Sequence, residues 1–202
     1  MIFFSTPIYI AEVNEAEIIN SALKNINLHD FVIETKNENS ANRDWVCDVL
    51  TGHNEDFLTL DTPWVKLFLS TIIPYVEKYI QEINLEKCKY LANIPWVNIY
   101  RKHDYQEPHD HINGDNIFSY AYMHRLPPDS GNFVFLNRNS AINYIGQQDN
   151  QNNFVPKVKE GSLVLFPSSL QHMVTPNNVE EERITIAGNI SKFGDGDDSK
   201  NM

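Results

Sequence analysis

The stretch KEGSLVLFPSSLQHMVTPNNVEEERITIAGNIS, residues 159–191, decides the fold. It carries three short apolar runs, SLVLFP, HMVTP and RITIAGNIS, separated by Pro, Ser and Asn. Each run is rich in β-branched or aromatic residues and too short for a buried helix, which is the pattern of strands between turns. The same texture extends back to Tyr90 through WVNIYRK, NIFSYAYMHRL, NFVFLN and FVPKV, with breaks at NGD, PPDSG and KEG. Many short strands at this spacing form a sandwich or a barrel. The expected class is α+β, mainly β, built on a double-stranded β-helix, or jelly roll.

The N-terminal part reads differently. IFFSTPIYIAEV suits a strand, and NEAEIINSALKNI suits a helix capped by Asn14 with Ile18, Ile19, Leu23 and Ile26 on one face. ETKNENSANRD is polar and unperiodic, hence a loop. DTPWVKLFLSTIIPYVEKYIQEI is the clearest helix: Thr62 caps it, Pro63 opens it, and Trp64, Leu67, Phe68, Ile72, Tyr75, Tyr79 and Ile83 recur every three to four residues. Pro74 is expected to kink it. The chain is therefore expected to be one domain over 1–194, with 1–88 a mostly helical support and 89–194 the jelly-roll core. Residues 195–202 are expected to be a disordered tail. The polar segment NRNSAINYIGQQDNQNN, 137–153, has the length and composition of a flap over a mouth.

Bulk composition narrows the function classes. The 202 residues are 42% hydrophobic and 21% charged, as in ordinary globular proteins. With 16 Lys and Arg against 27 Asp and Glu, the net charge is −11, which argues against nucleic acid or an anionic membrane as partner. The two cysteines, Cys47 and Cys88, form no CxxC or zinc-finger spacing and suit a reducing compartment. The first residues lack the basic flank of a signal peptide, and no run reaches the roughly 20 apolar residues of a membrane helix. A cytoplasmic setting is expected (host cytoplasm for a viral chain), and oligomeric state is left open.

The chemistry centres on YQEPHDHINGD, beginning at Tyr105. In extended chain, residues i and i+2 face one side, so His109 and His111 converge while Asp110 points away. Two convergent imidazoles suggest a metal, and His172, at the start of a later strand, is the third candidate ligand. Unpaired polar groups on an inner barrel face cost about 1–3 kcal/mol each, and a shared metal removes that cost. Arg183 opens the next strand with Thr185 on the same side. A guanidinium inside a barrel needs an anion, and its bidentate fork suits a carboxylate; the alternative is a surface arginine paired with Glu180, Glu181 or Glu182. His29, His53 and His103 have weaker claims, and His124 faces either the barrel interior or solvent.

H-x-H, a distal His and then R-x-T resembles the 2-oxoglutarate- and Fe(II)-dependent dioxygenases, most closely a branch of oxygenases from marine bacteria and phages. The resemblance runs through WVNIYRKHDYQEPHDH, FSYAYMHRLPPDSGNFVF and KEGSLVLFPSSLQHMVTPNNVEEERITIAGNIS, and also touches IFFSTPIYIAEV. It implies His109 and His172 as ligands of Fe(II), and Arg183 with Thr185 as the clamp on the far carboxylate of 2-oxoglutarate. Asn98 and Tyr122 are implied to line the cosubstrate pocket, with Asn189 a weaker candidate. It implies O2 and an unidentified small-molecule or peptide substrate as partners, with prolyl hydroxylation one possible reaction. The departure is His111, where most of the superfamily carries the carboxylate of a two-His, one-carboxylate triad. Asp110 is the alternative to His111, and Asp115 a further one if the NGD turn folds back. Two other readings compete. A cupin would use the H-x-H and Asp115 without 2-oxoglutarate, and a jelly-roll interaction or virion protein would merely pack its histidines.

Overall fold

The structure, a computed structural model, describes residues 6–85, 89–136 and 153–193. Two antiparallel sheets face each other, and a helical layer covers the outer face of the larger one. The strands in chain order are β1 (Tyr9–Glu12), β2 (Ile33–Glu34), β3 (Leu50–Thr51), β4 (Lys89–Ala92), β5 (Trp96–Tyr100), β6 (Gln106–His109), β7 (Asn116–Arg125), β8 (Phe133–Leu136), β9 (Asn153–Phe154), β10 (Ser162–Pro167), β11 (His172–Val174) and β12 (Arg183–Phe193). The large sheet runs β1-β10-β7-β12-β5-β3-β2, with β4 beside the far end of β12. The small sheet runs β6-β11-β8-β9. The mainly β, antiparallel reading stands. The first 88 residues are less helical than expected, because β1 extends the large sheet at β10 and β3 extends it at β5.

Side-chain alternation explains why the central strands read as unbroken apolar runs. On the outer face, Val97, Ile99, Phe118, Tyr120, Leu163, Leu165, Ile184 and Ile186 pack against helix α2 (Pro63–Glu82). On the inner face, Tyr100, Ala121, Met123, Val164 and Phe166 meet Phe133, Phe135 and Val174 of the small sheet. A strand buried on both faces loses its polar alternation, and β10, SLVLFP, is such a strand.

Helix α2 follows its sequence pattern. Thr62 holds the N-cap position but its side chain caps no helical N–H, accepting instead from the Thr59 N–H at 3.2 Å; Pro63 stands at the helix start, where a missing N–H costs nothing, and the helix runs unbroken through Pro74. Its buried face is Trp64, Val65, Phe68, Leu69, Ile72, Val76, Tyr79 and Ile80. Helix α1 (Ala16–Leu23) buries Ile19 and Leu23, but Ile18 is exposed. Its N-cap is Glu15 rather than Asn14, whose backbone N–H instead donates to the Tyr75 hydroxyl at 2.9 Å. The flap expected at 137–153 and the tail at 195–202 lie outside the described residues, apart from Asn153 in β9.

Candidate metal centre

Strand pairing, rather than sequence proximity, assembles the histidines. In the small sheet, β11 lies against β6 with His172 directly opposite His109. His111 lies just beyond β6, where its backbone N–H donates to the Ser168 carbonyl at 2.8 Å. The ring centroids are 4.2 Å apart for His109 and His172, and 5.1 Å apart for each pair that includes His111. One ring nitrogen from each of the three lies within 4.8 Å of the others.

Local hydrogen bonds set the tautomers. His109 Nδ1–H donates to the Glu107 carbonyl at 2.7 Å, and His172 Nδ1–H donates to the Leu170 carbonyl at 3.0 Å. A carbonyl can only accept, so each neutral ring carries its proton on Nδ1 and keeps an Nε2 lone pair, the arrangement a metal ligand needs. Burial lowers the pKa of all three: His111 falls to about 3 with help from the charges His109 and His53 would carry, His172 goes well below its ordinary value, and His109 also falls. Three neutral, convergent imidazoles fit a divalent transition metal by donor chemistry.

Asp110 and Asp115 do not join this cluster. Asp110 Oδ1 accepts from the Ile112 N–H at 3.3 Å at the edge of the site, and Asp115 is exposed. Among the described residues, the group brought together that could hold a metal is His109, His111 and His172.

The inner face of the large sheet supplies the floor. Arg183, Thr185 and Ala187 of β12 pair with Tyr100, Asn98 and Trp96 of β5. Thr51 Oγ1 donates to Asn98 Oδ1 at 2.6 Å, and Asn98 Nδ2 donates to Thr185 Oγ1 at 3.4 Å. A small inner cavity is bordered by Trp96, Asn98 and Tyr100 of β5, by Thr185 and Ala187 of β12, and by all three histidines. At about 20 Å3 it holds roughly one water, so a larger guest requires the lining side chains to move.

Arg183 is 1% exposed. Its Nη1–H donates to the Gly131 carbonyl at 2.8 Å, an Nη2 contact reaches Met123 Sδ at 3.7 Å, and Nε has no partner among the described residues. No carboxylate pairs with it there. Glu180 pairs with Lys102 and Glu182 with His29, which removes the surface-pair alternative. Gly131 has φ +85°, and a Cβ there would stand 2.3 Å from the Thr175 carbonyl, so only glycine can present its carbonyl to Arg183.

Tyr122 corrects one expectation. The residue faces α2, with its ring 5.6 Å from Phe68, because it shares the outward phase of β7 with Phe118 and Tyr120. His29 and His124 border a separate cleft on the outer side, and His103 is exposed. Asn189 accepts from Ser119 Oγ at 2.8 Å and lines the outer mouth of the site.

Sequence reasoning missed Trp45 and Trp96 and ranked His53 among the weaker histidines. His53 borders both the inner cavity and the mouth, with its ring 5.8 Å from His111 and 4.7 Å from Trp96. Its Nδ1 lies 3.2 Å from Asn42 Oδ1, and burial lowers its pKa to about 4. Trp96 was legible, since it lies two residues before Asn98 on the same face of β5. Nothing in the spacing marks His53 or Trp45.

Residues 95–189 match a family model described as "Putative 2OG-Fe(II) oxygenase". No curated protein matches the sequence. In fold, the chain is similar to a Pseudomonas putida prolyl-4-hydroxylase, with TM-score 0.62 and 12% identity over 94% of this chain and 95% of that one. It is also similar to a Trichoplax adhaerens prolyl hydroxylase solved with a hypoxia inducible factor peptide fragment, with TM-score 0.60 and 13% identity over 94% and 84% of the two chains. HygX from Streptomyces hygroscopicus, solved with nickel, 2-oxoglutarate and hygromycin B, has TM-score 0.56 and 12% identity over 92% and 83%.

Proposed function

We propose that this chain is an Fe(II)- and 2-oxoglutarate-dependent oxygenase. In the overall reaction a substrate C–H, 2-oxoglutarate and O2 give the hydroxylated substrate, succinate and CO2. The observation that carries this reading is the pairing of two features in one interior: three convergent neutral imidazoles, and a buried arginine lacking a carboxylate partner. The first suits a divalent metal and the second an organic anion. A dicarboxylate that also chelates a metal satisfies both. The family-model match and the likeness to solved oxygenases support the same assignment, as does the reading of the two sheets as a double-stranded β-helix.

In this reading His109, His111 and His172 hold the iron, which supplies the oxygen-activating chemistry when bound. Arg183 holds the far carboxylate of the cosubstrate, and Thr185 and Asn98 orient it along the floor. Trp96, Phe133 and Phe166 exclude water from the inner cavity. The fold does not name the substrate. Prolyl hydroxylation is the reaction that sequence resemblance suggests, and two of the three solved neighbours described above are prolyl hydroxylases.

The test is an anaerobic titration with Fe(II) and then 2-oxoglutarate, followed by the visible metal-to-ligand charge-transfer band. Wild-type protein is expected to develop the band. Arg183→Met is expected to bind Fe(II) but to need about a hundredfold more 2-oxoglutarate, the scale of a lost buried charge pair. Bound metal without a band would favour the cupin reading, and absence of metal binding would sink both.

A further inference from the structure

Outside the histidines lies a second cavity, a mouth of about 260 Å3 that shares His53, His109 and His111 with the inner one. Among the described residues, its lining contains no lysine or arginine. It does contain two carboxylates, Glu107 and Asp110, beside Trp45 and several asparagines. Glu107 Oε2 accepts from the N–H groups of Val46 and Cys47, at 2.8 and 3.0 Å, which fixes the carboxylate in place. Asp110 uses Oδ1 on the Ile112 N–H. Each therefore retains an oxygen with no hydrogen bond among the described residues. Neither forms an ion pair there, although six other ion pairs occur.

Charge is thus polarised across the site. Among the described residues, the buried Arg183 of β12 and the two carboxylates at the mouth all lack an ion-pair partner. An anionic ligand is drawn inward to Arg183 and opposed at the mouth. The Trp45 ring, 5.9 Å from that of His109, offers a face of the kind that attracts cations. A net charge of −11 steers cations toward such a mouth.

We infer that the substrate presents a cationic nitrogen, an alkylammonium or guanidinium group, to Glu107, Asp110 and Trp45 at the mouth. This deepens the oxygenase reading and rests on it for the direction in which the oxidised C–H faces. A lysine or arginine side chain of a peptide and a free polyamine offer the same chemistry.

The test uses the full chain loaded anaerobically with Fe(II) and 2-oxoglutarate, with binding followed by calorimetry. The probes are a blocked lysine tripeptide, its glutamine and glutamate counterparts, and spermidine. At least one cationic probe is expected to bind about tenfold or more tighter than the neutral tripeptide, and the glutamate tripeptide more weakly still. Glu107→Gln and Asp110→Asn, which keep the shape and an acceptor, are expected to erase that preference when combined. Preference for the lysine tripeptide identifies a peptide source, and preference for spermidine a polyamine source. Equal binding of the neutral and cationic probes, binding by none of the cations, or a preference that survives the double variant would overturn the inference. A cation preference in wild-type protein that forms no charge-transfer band would instead break the oxygenase reading and leave the cation site standing.

Discussion

In the proposed oxygenase reading, Arg183 trades stability for function. Its guanidinium is buried with a carbonyl, a sulfur and, at 5.7 Å, the Tyr100 ring as neighbours, so desolvation lowers its pKa and no carboxylate among the described residues offsets the burial. Replacing a buried, poorly compensated charge with an apolar residue of similar length is often neutral or stabilising. Arg183→Met is therefore expected to raise the stability of the ligand-free protein by about 1–3 kcal/mol in urea unfolding. The same variant is expected to lose stabilisation by 2-oxoglutarate. A ligand-free variant less stable than wild type would mean that the guanidinium already has its partner in the fold. Two further residues mark how far sequence alone reached. The i, i+2 rule brought His109 and His111 to one side, as the structure has them. It could not place Tyr122, because the phase of β7 is set by which face meets α2.

At the scale of elements, α2 and the large sheet form one packing unit, and the two facing sheets form another. Ile72 is fully buried on α2 among residues of the sheet's outer face. Ile72→Ala leaves a cavity in that unit and is expected to cost about 2–5 kcal/mol in urea unfolding. The proposed metal ligands stand on the small sheet and the loop after β6, away from this layer. Fe(II) affinity, measured on folded protein, is therefore expected to stay within about twofold of wild type, since distant sites usually act independently. A large loss of metal affinity would show that the helical layer sets the register of β6 against β11.

For the whole molecule, the buried histidines make the metal-free fold sensitive to acid. His53, His109, His111 and His172 all have folded-state pKa values below the ordinary 6.5. Above pH 6.5 these rings are neutral in both folded and unfolded chains, so they contribute no pH dependence. Below it the unfolded chain takes up protons that the folded chain refuses, and stability falls as the pH drops toward the folded values. His53 alone, lowered from 6.5 to about 4, withdraws about 3 kcal/mol by pH 4. Thermal unfolding of metal-free protein is expected to shift downward steeply between about pH 6.5 and 4, and added metal is expected to steepen the fall, because protons compete for its ligands. A flat profile over that window would mean that the rings are solvated when the metal is absent.

The sequence by itself determined the periodic features: short strands from Tyr90 onward, the amphipathic α2, and the two histidines brought together by alternation. These are local consequences of side-chain geometry, with period 2 in strands and 3.6 in helices. It also marked His172 and Arg183, because a polar residue at the head of an apolar strand stands out. The tertiary structure alone decided what lies opposite what. Pairing of β6 with β11 sets His172 against His109 across more than sixty residues of chain. The loops before β5 fold back to deliver His53 and Trp45 to the same place. No periodicity encodes such a meeting, since register between distant strands depends on which faces the whole core buries.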